Sequence, residues 1–248
     1  MRIPIAYLLL PLLIFLQSCT DFPEQHEGKI MLSFDDQYID NWYAHMDLYE
    51  KYNARLCFYV TRPGELSDAD FEKLRELQAE GHMIGSHGMH HQHVDAFKNA
   101  TAYYQAEVLP AIELFAENGI DVITYAYPYG KGCSEVDSLL ISKGLSIRYA
   151  GWNRDHVFLP KADRFYISKP KPEKFLAIGM DENYRIGRLD LLYGLERAAN
   201  ENSILVLHAH DISKKEGDYK LDPAKLEYLL HQCQKHGISF YLPGDSHQ

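Results

Sequence analysis

The chain has 248 residues, 46% of them apolar and 24% charged, with a formal charge of −10. That length and mix suit a globular fold of one large domain or two small ones. An acidic chain with no basic stripe argues against nucleic acid as the partner.

The first residues are set apart from the fold. Met1-Arg2 supplies a short positive start, and Ile3 to Leu16 is almost wholly apolar but carries Pro4 and Pro11. It is too short for a comfortable bilayer span and reads as a signal peptide. Its end, Leu16-Gln17-Ser18-Cys19, resembles a bacterial lipobox. That likeness implies cleavage after residue 18, lipidation of Cys19, and a protein lipid-anchored to a membrane of the cell envelope. The expected organisation is a signal peptide over 1–18, a linker over 19–28 and a catalytic domain over 29–248.

Apolar runs and helical patterns alternate from there. Lys29 to Phe34 reads as a buried strand, Tyr43 to Tyr52 as a helix, and Leu56 to Thr61 as a second strand. Ser67 to Asp70 forms a capping box for a helix running to Glu80. Met83 to Gly85 is a brief third strand. A long helical stretch from Ala96 to Asn118 should kink at Pro110. Strand-like runs recur at Val122–Tyr125, Ser146–Tyr149, Ile204–His208 and Ile238–Tyr241. Helical patterns occupy Glu135–Ser142, Arg188–Asn200 and Pro223–His236. This alternation predicts parallel strands with crossover helices, in a barrel or an open doubly wound sheet. Of the remaining cysteines, Cys57 is expected in the core, and one disulfide is open to the set Cys57, Cys133 and Cys233.

Polar clusters fall at the predicted strand ends, where a parallel barrel keeps its site. Asp35-Asp36 ends the first strand, and His87-Gly88-Met89-His90-His91 follows the third. Two histidines four apart on a helical turn share one face and can reach one metal ion. No Glu adjoins the first of them, so a zinc-protease motif is absent. Adjacent carboxylates at the end of an apolar strand repel each other unless a cation relieves them, and one carboxylate with two imidazoles suits zinc and its neighbours. Neighbouring residues point different ways, so one Asp can ligate while the other faces a metal-bound water.

Four segments carry a family resemblance. Ser33-Phe34-Asp35-Asp36, Gly81 to His91, Tyr127-Pro128-Tyr129-Gly130 and Leu205 to His208 resemble, in order, motifs of the polysaccharide deacetylase (NodB-homology) family. The resemblance implies a distorted (β/α) barrel with fewer than eight units that hydrolyses an acetyl group from a sugar. It implies that Asp36, His87 and His91 bind a divalent metal, with zinc first and cobalt, nickel or manganese as alternatives. Asp35 would be the general base, His208 the general acid, and the backbone N–H of Tyr129 an oxyanion donor. The expected partners are an acetylated glycan and, through Cys19, a membrane.

Two departures bear on substrate and rate. Ala126 stands where the family has an Arg oriented towards the base, and Arg154 or Lys131 is expected to replace it, Arg154 being the better fitted to grip a carboxylate. The family's fourth motif, an Asp with a Trp lining the acetyl pocket, has no clear match, and Trp152-Asn153-Arg154-Asp155 is the substitute considered, with Trp152, Arg154 and Asp155 as pocket residues. His82 reads as structural, His90 and His93 as exposed, and His210-Asp211 as able to line the cleft. Two other functions stay open: a glycan-binding lipoprotein without turnover, and a metal hydrolase of another non-peptide C–N bond.

Overall fold

The computed structural model describes residues 28–152, 157–168 and 172–245. The barrel strands are β1 (Lys29–Asp36), β2 (Cys57–Val60), β3 (Met83–Ser86), β4 (Thr124–Ala126), β5 (Ser146–Gly151), β6 (Lys174–Gly179) and β7 (Ile204–Ala209). Neighbours run parallel in that order, and β7 pairs back onto β1 from Lys29↔Ile204 to Phe34↔Ala209. Seven parallel strands therefore close the barrel, one fewer than the eightfold form and in line with the expected architecture.

The closure is uneven. β3 and β4 share a single register pair, Ser86↔Tyr125. β1 pairs with β2 only from Ser33 onward, and its first residues pair instead with a short strand at Ser239–Phe240. A two-residue strand, Tyr166–Ile167, runs antiparallel along β7.

Side-chain alternation divides the strands between two layers. Ile30, Leu32 and Phe34 of β1, Phe58 and Val60 of β2, and Leu205 and Leu207 of β7 pack into the outer core against the helices. Met31, Cys57, Tyr59, Ala126, Phe175, Ala177, Ile204 and Val206 form the inner cluster. The same parity turns Asp35, Arg148 and His208 into the barrel. Position within the alternation, more than local chemistry, puts these polar groups in one place.

The helices are α1 (Ile39–Tyr43), α2 (Met46–Lys51), α3 (Asp68–Ala79), α4 (Ala100–Tyr103), α5 (Leu109–Glu117), α6 (Ser134–Ser142), α7 (Arg188–Asn200) and α8 (Pro223–Lys235). The helix expected over 43–52 is the shorter α2, preceded by a separate helix α1 that ends at Tyr43; between them the His45 N–H bonds back only three residues, to Trp42 at 3.2 Å. The Ser67–Asp70 capping box opens α3 as expected. Ahead of Pro110 the long helix passes through a π-turn, Tyr104–Val108. Proline removes the donor that an unbroken α-helix needs there, and the wider turn absorbs the fault. β6 was missing from the sequence reading. Cys57, Cys133 and Cys233 are all free, so no disulfide forms among them.

Candidate active site

A cavity of about 390 Å³ opens at the C-terminal ends of the strands, lined by Asp35, Asp36, His87, His91, Tyr129, Trp152, Tyr184, His208 and His210 among others. Six of the seven barrel strands, all but β2, contribute to it directly or through the loop that follows.

Asp36, His87 and His91 each offer one ligand atom, and these atoms lie within 4.8 Å of one another. The Nε2 atoms of His87 and His91 stand 3.8 and 3.5 Å from the same Asp36 oxygen. His87 turns its Nδ1 to the carbonyl of Ala126 at 2.9 Å. That bond orients the ring and leaves Nε2 free, the arrangement a ligating imidazole needs. Burial lowers the His87 pKa to about 4 against the pull of Asp35 and Asp36, and it lowers that of His91 as well. Burial thus favours the neutral ring, with a lone pair to offer, at both positions. Asp36, His87 and His91 fit a divalent cation on these grounds.

The backbone here is strained. Asp36, His91 and Tyr129 have φ of 84°, 57° and 59°, in the left-handed region that non-glycine residues avoid. Such conformations persist where surrounding contacts over-determine them. Behind the His87–His91 loop one such contact is Glu107, fully buried on the π-turn. Its Oε2 accepts from the N–H groups of His90 and Gln92 at 3.1 and 3.2 Å, and its carbonyl accepts from Met89 at 2.8 Å. Gly88, at φ +90°, passes so close that a Cβ would stand 2.6 Å from the Glu107 carboxylate. Sequence gave no sign of Glu107, since a Glu in a helical stretch ordinarily faces water.

Asp35 is buried and paired with Arg148, whose Nη2 donates to Oδ1 at 2.5 Å. Burial alone would raise the Asp35 pKa. The Arg148 guanidinium overrides it and holds the carboxyl far below the usual carboxylate range. The expected cation was Arg154 or Lys131. Lys131 instead pairs with Asp95 on the surface at 3.0 Å, and Arg154 and Asp155 lie outside the described residues. Arg148 escaped notice because it sits inside an apolar strand, in Ser146-Ile147-Arg148-Tyr149, with no motif around it.

His208 ends β7 and is buried, with both ring nitrogens lacking a hydrogen-bond partner. Its Nδ1 comes only to 3.7 Å from Asp35. Burial and the nearby Arg148 push its pKa well below the ordinary value. Two residues on, His210 lines the cavity as expected, held by an acidic residue the sequence reading did not find. Asp181, fully buried just beyond β6, accepts from His210 Nδ1 at 2.6 Å and from the His210 N–H at 3.0 Å.

Tyr129 is mostly exposed, its ring between those of His91 and His93 at 4.9 and 5.7 Å. Trp152 lies at the rim, stacked on Tyr184 with centroids 4.2 Å apart. His82 is structural as read, accepting from the Leu56 N–H at 3.1 Å. His90 is exposed, whereas His93 is half-buried and caps the Asp95 N–H at 3.1 Å.

A parallel barrel with carboxylates and imidazoles gathered at its strand ends is the framework of a barrel hydrolase. The family model described as polysaccharide deacetylase matches residues 23–150, more than half of the chain, and the chain belongs to that family, which acts on acetylated glycans. Among solved structures it is similar to the catalytic domain of a peptidoglycan N-acetylglucosamine deacetylase from Eubacterium rectale, at 18% identity over 89% of this chain and 93% of that one, with a TM-score of 0.53. It is similar to a chitin deacetylase from Colletotrichum lindemuthianum, at 15% identity over 86% and 84%, TM-score 0.59. A family 4 carbohydrate esterase from Streptococcus mutans gives 18% over 87% and 86%, TM-score 0.58. At these identities the likeness speaks for the fold. Comparison with curated proteins finds no match.

Proposed function

We propose that this protein is a metal-dependent hydrolase that removes acetyl groups from an N-acetylated or O-acetylated glycan. The observation that carries the reading is the pairing of Asp35 with Arg148 beside the Asp36–His87–His91 triad, in one cavity. A divalent ion held by Asp36, His87 and His91, zinc first among the candidates, would supply hydroxide at neutral pH and polarise the acetyl carbonyl when bound.

The chain's own residues account for the rest. Asp35, kept ionised by Arg148, takes the proton of the attacking water. The Tyr129 N–H, fixed by its left-handed backbone, faces the developing oxyanion. His208, near the end of β7, returns a proton to the leaving nitrogen or oxygen. Trp152 stacked on Tyr184 offers a sugar ring an apolar face at the rim. The similar solved structures named for peptidoglycan and chitin favour a glycan bearing N-acetylglucosamine. The alternative of a glycan binder without turnover rested on Ala126, and Arg148 removes much of its support.

Acetate release from a panel of acetylated sugars, with and without chelator and alongside elemental analysis, tests this reading. Chelation is expected to abolish release and zinc to restore it. Glycan binding without acetate from any member of the panel would favour the non-catalytic alternative.

The lipobox-like Leu16–Cys19 supports, in the same proposal, a lipid anchor on a bacterial membrane; it lies outside the described residues. Among the described residues no helix is long and apolar enough to cross a membrane.

A further inference from the structure

Eight large apolar side chains are exposed among the described residues. Three of them, Tyr129, Trp152 and Tyr219, line the catalytic cavity. Four others, Val157, Phe158, Leu189 and Tyr193, belong to the outer face of α7 and the segment laid against it. Leu189 and Tyr193 are one helical turn apart, and Glu196 and Asn200 continue that stripe, while Leu191, Leu195 and Ala198 turn to the core. Phe158 meets the Tyr193 ring edge to face, with centroids 5.7 Å apart. The two rings border a cavity of about 720 Å³ that shares no lining residue with the catalytic one.

The floor of this second cavity is fixed. Arg197 donates to the Pro160 carbonyl at 2.9 Å, pairs with Asp163 at 2.8 Å and Glu201 at 2.9 Å, and lies over the Tyr166 ring at 4.2 Å. The Leu159 N–H bonds to Asp190 at 3.2 Å, so the segment is already held on α7. On the walls the polar groups are unspent: Lys161, Glu196 and Asn200 have no side-chain partner among the described residues. The lining carries two cations and three carboxylates, too balanced to attract a polyanion or a polycation. Aromatic faces beside an ammonium, a carboxylate and an amide suit a neutral, polyhydroxylated ring, whose C–H face stacks while its hydroxyl and acetamide groups pair. A purely apolar surface docked here would leave all three polar groups without partners.

We propose that this cavity is a second glycan-binding site, outside the catalytic cavity, that holds a neutral N-acetylated sugar of a polymeric substrate. The inference rests on the glycan reading above for the class of its ligand. Tyr193 is the stacking platform, Phe158 the side wall, and Lys161, Glu196 and Asn200 the hydrogen-bonding groups. One turn joins the site to the catalytic rim: Asp163 lines the cavity, and the adjacent Arg164 donates to the carbonyl of Trp152. A polymer held here keeps its other sugars at high effective concentration around the catalytic cavity. A disaccharide is too short to engage both sites and gains nothing.

The test compares a polymer with a disaccharide. Full-length wild type, Tyr193→Ala, Phe158→Ala and Tyr193→Trp are assayed, zinc-loaded, for acetate release from colloidal chitin and from its N-acetylated disaccharide. Retention on chitin is measured separately by sedimentation, with chelator present so that no turnover depletes the ligand. Each alanine variant should lower retention and raise the apparent KM on chitin by about tenfold, as expected for loss of an aromatic anchor. Its kcat on chitin, its kinetics on the disaccharide and its Tm should match wild type. Tyr193→Trp should keep both retention and KM, and polyglucuronate, an acidic polymer, should not compete. Wild-type retention and KM in both alanine variants overturns the site, as does an equal loss on the disaccharide. A dimer that Tyr193→Ala dissolves while chitin retention stays intact also overturns it and assigns the surface to a second copy of the chain. A wild type retained through Tyr193 that releases no acetate from either substrate keeps this site and overturns the deacetylase reading instead.

Discussion

Ala126 and Arg148 are register partners across the seam between β4 and β5. Both side chains point into the barrel, so the small residue on one strand leaves room for the large one on the next. The guanidinium that the family motif would place on β4 reaches Asp35 from β5.

Arg148 should therefore govern the ionisation of the base. Arg148→Met is expected to lower turnover and move the acidic limb of the kcat/KM profile to higher pH, with metal retained, because losing an adjacent positive charge lifts the Asp35 pKa. Since the folded pKa lies below the unfolded one, the pair stabilises the fold above the ordinary carboxylate pKa of about 4 and ceases to do so as pH falls through the lowered value. The relocated pair, Ala126→Arg with Arg148→Ala, should recover part of the lost rate. An unmoved acidic limb in Arg148→Met would leave the base supported by the metal alone.

The two adjacent carboxylates should separate cleanly. Asp36→Ala, His87→Ala and His91→Ala are each expected to lose bound metal together with activity. Asp35→Asn should keep its metal and lose about a hundredfold or more in turnover. Elemental analysis beside the acetate assay decides this, and full metal occupancy in any of the first three would refute the triad.

Glu107 should matter through the loop it holds. Glu107→Ala strips the partly buried His90 and Gln92 N–H groups of their acceptor, at no more than about 1–3 kcal/mol for each donor left unpaired. The Tm should fall, and because the loop carries His87 and His91, metal affinity should weaken by about 10–100-fold. Titration of the apo variant with zinc measures the second effect. Wild-type affinity would mean the loop holds its shape without this carboxylate.

The anchor is tested by one substitution. Cys19→Ser is expected to move the protein from the membrane fraction to the soluble one. Continued membrane association would point to an uncleaved N-terminal segment or a bound partner.

Much of the molecule was legible in the sequence because strand alternation and turn chemistry are local. The strand runs ending in Asp35-Asp36 and at His208 and the Ser67 capping box rest on neighbours within a few residues, and each appears where it was read; His87 and His91 do face one cation site, but from an irregular loop with left-handed Gly88 and His91 instead of the helical turn their spacing suggested. β6 escaped because Phe175-Leu176-Ala177-Ile178 is a bare apolar run with no motif at its end, in a stretch otherwise without clear periodicity. Asp181 was lost with it.

Only the tertiary structure decided which distant groups meet. Arg148 is 113 residues from Asp35, and its inward direction follows from register with Ala126, which no local pattern encodes. Asp181 and His210 are 29 residues apart on loops after different strands. Sequence alone determined the residue types at the strand ends; barrel closure determined their partners, because in a parallel barrel side chains share the interior by parity and register, and both are set by pairing between strands far apart in the chain.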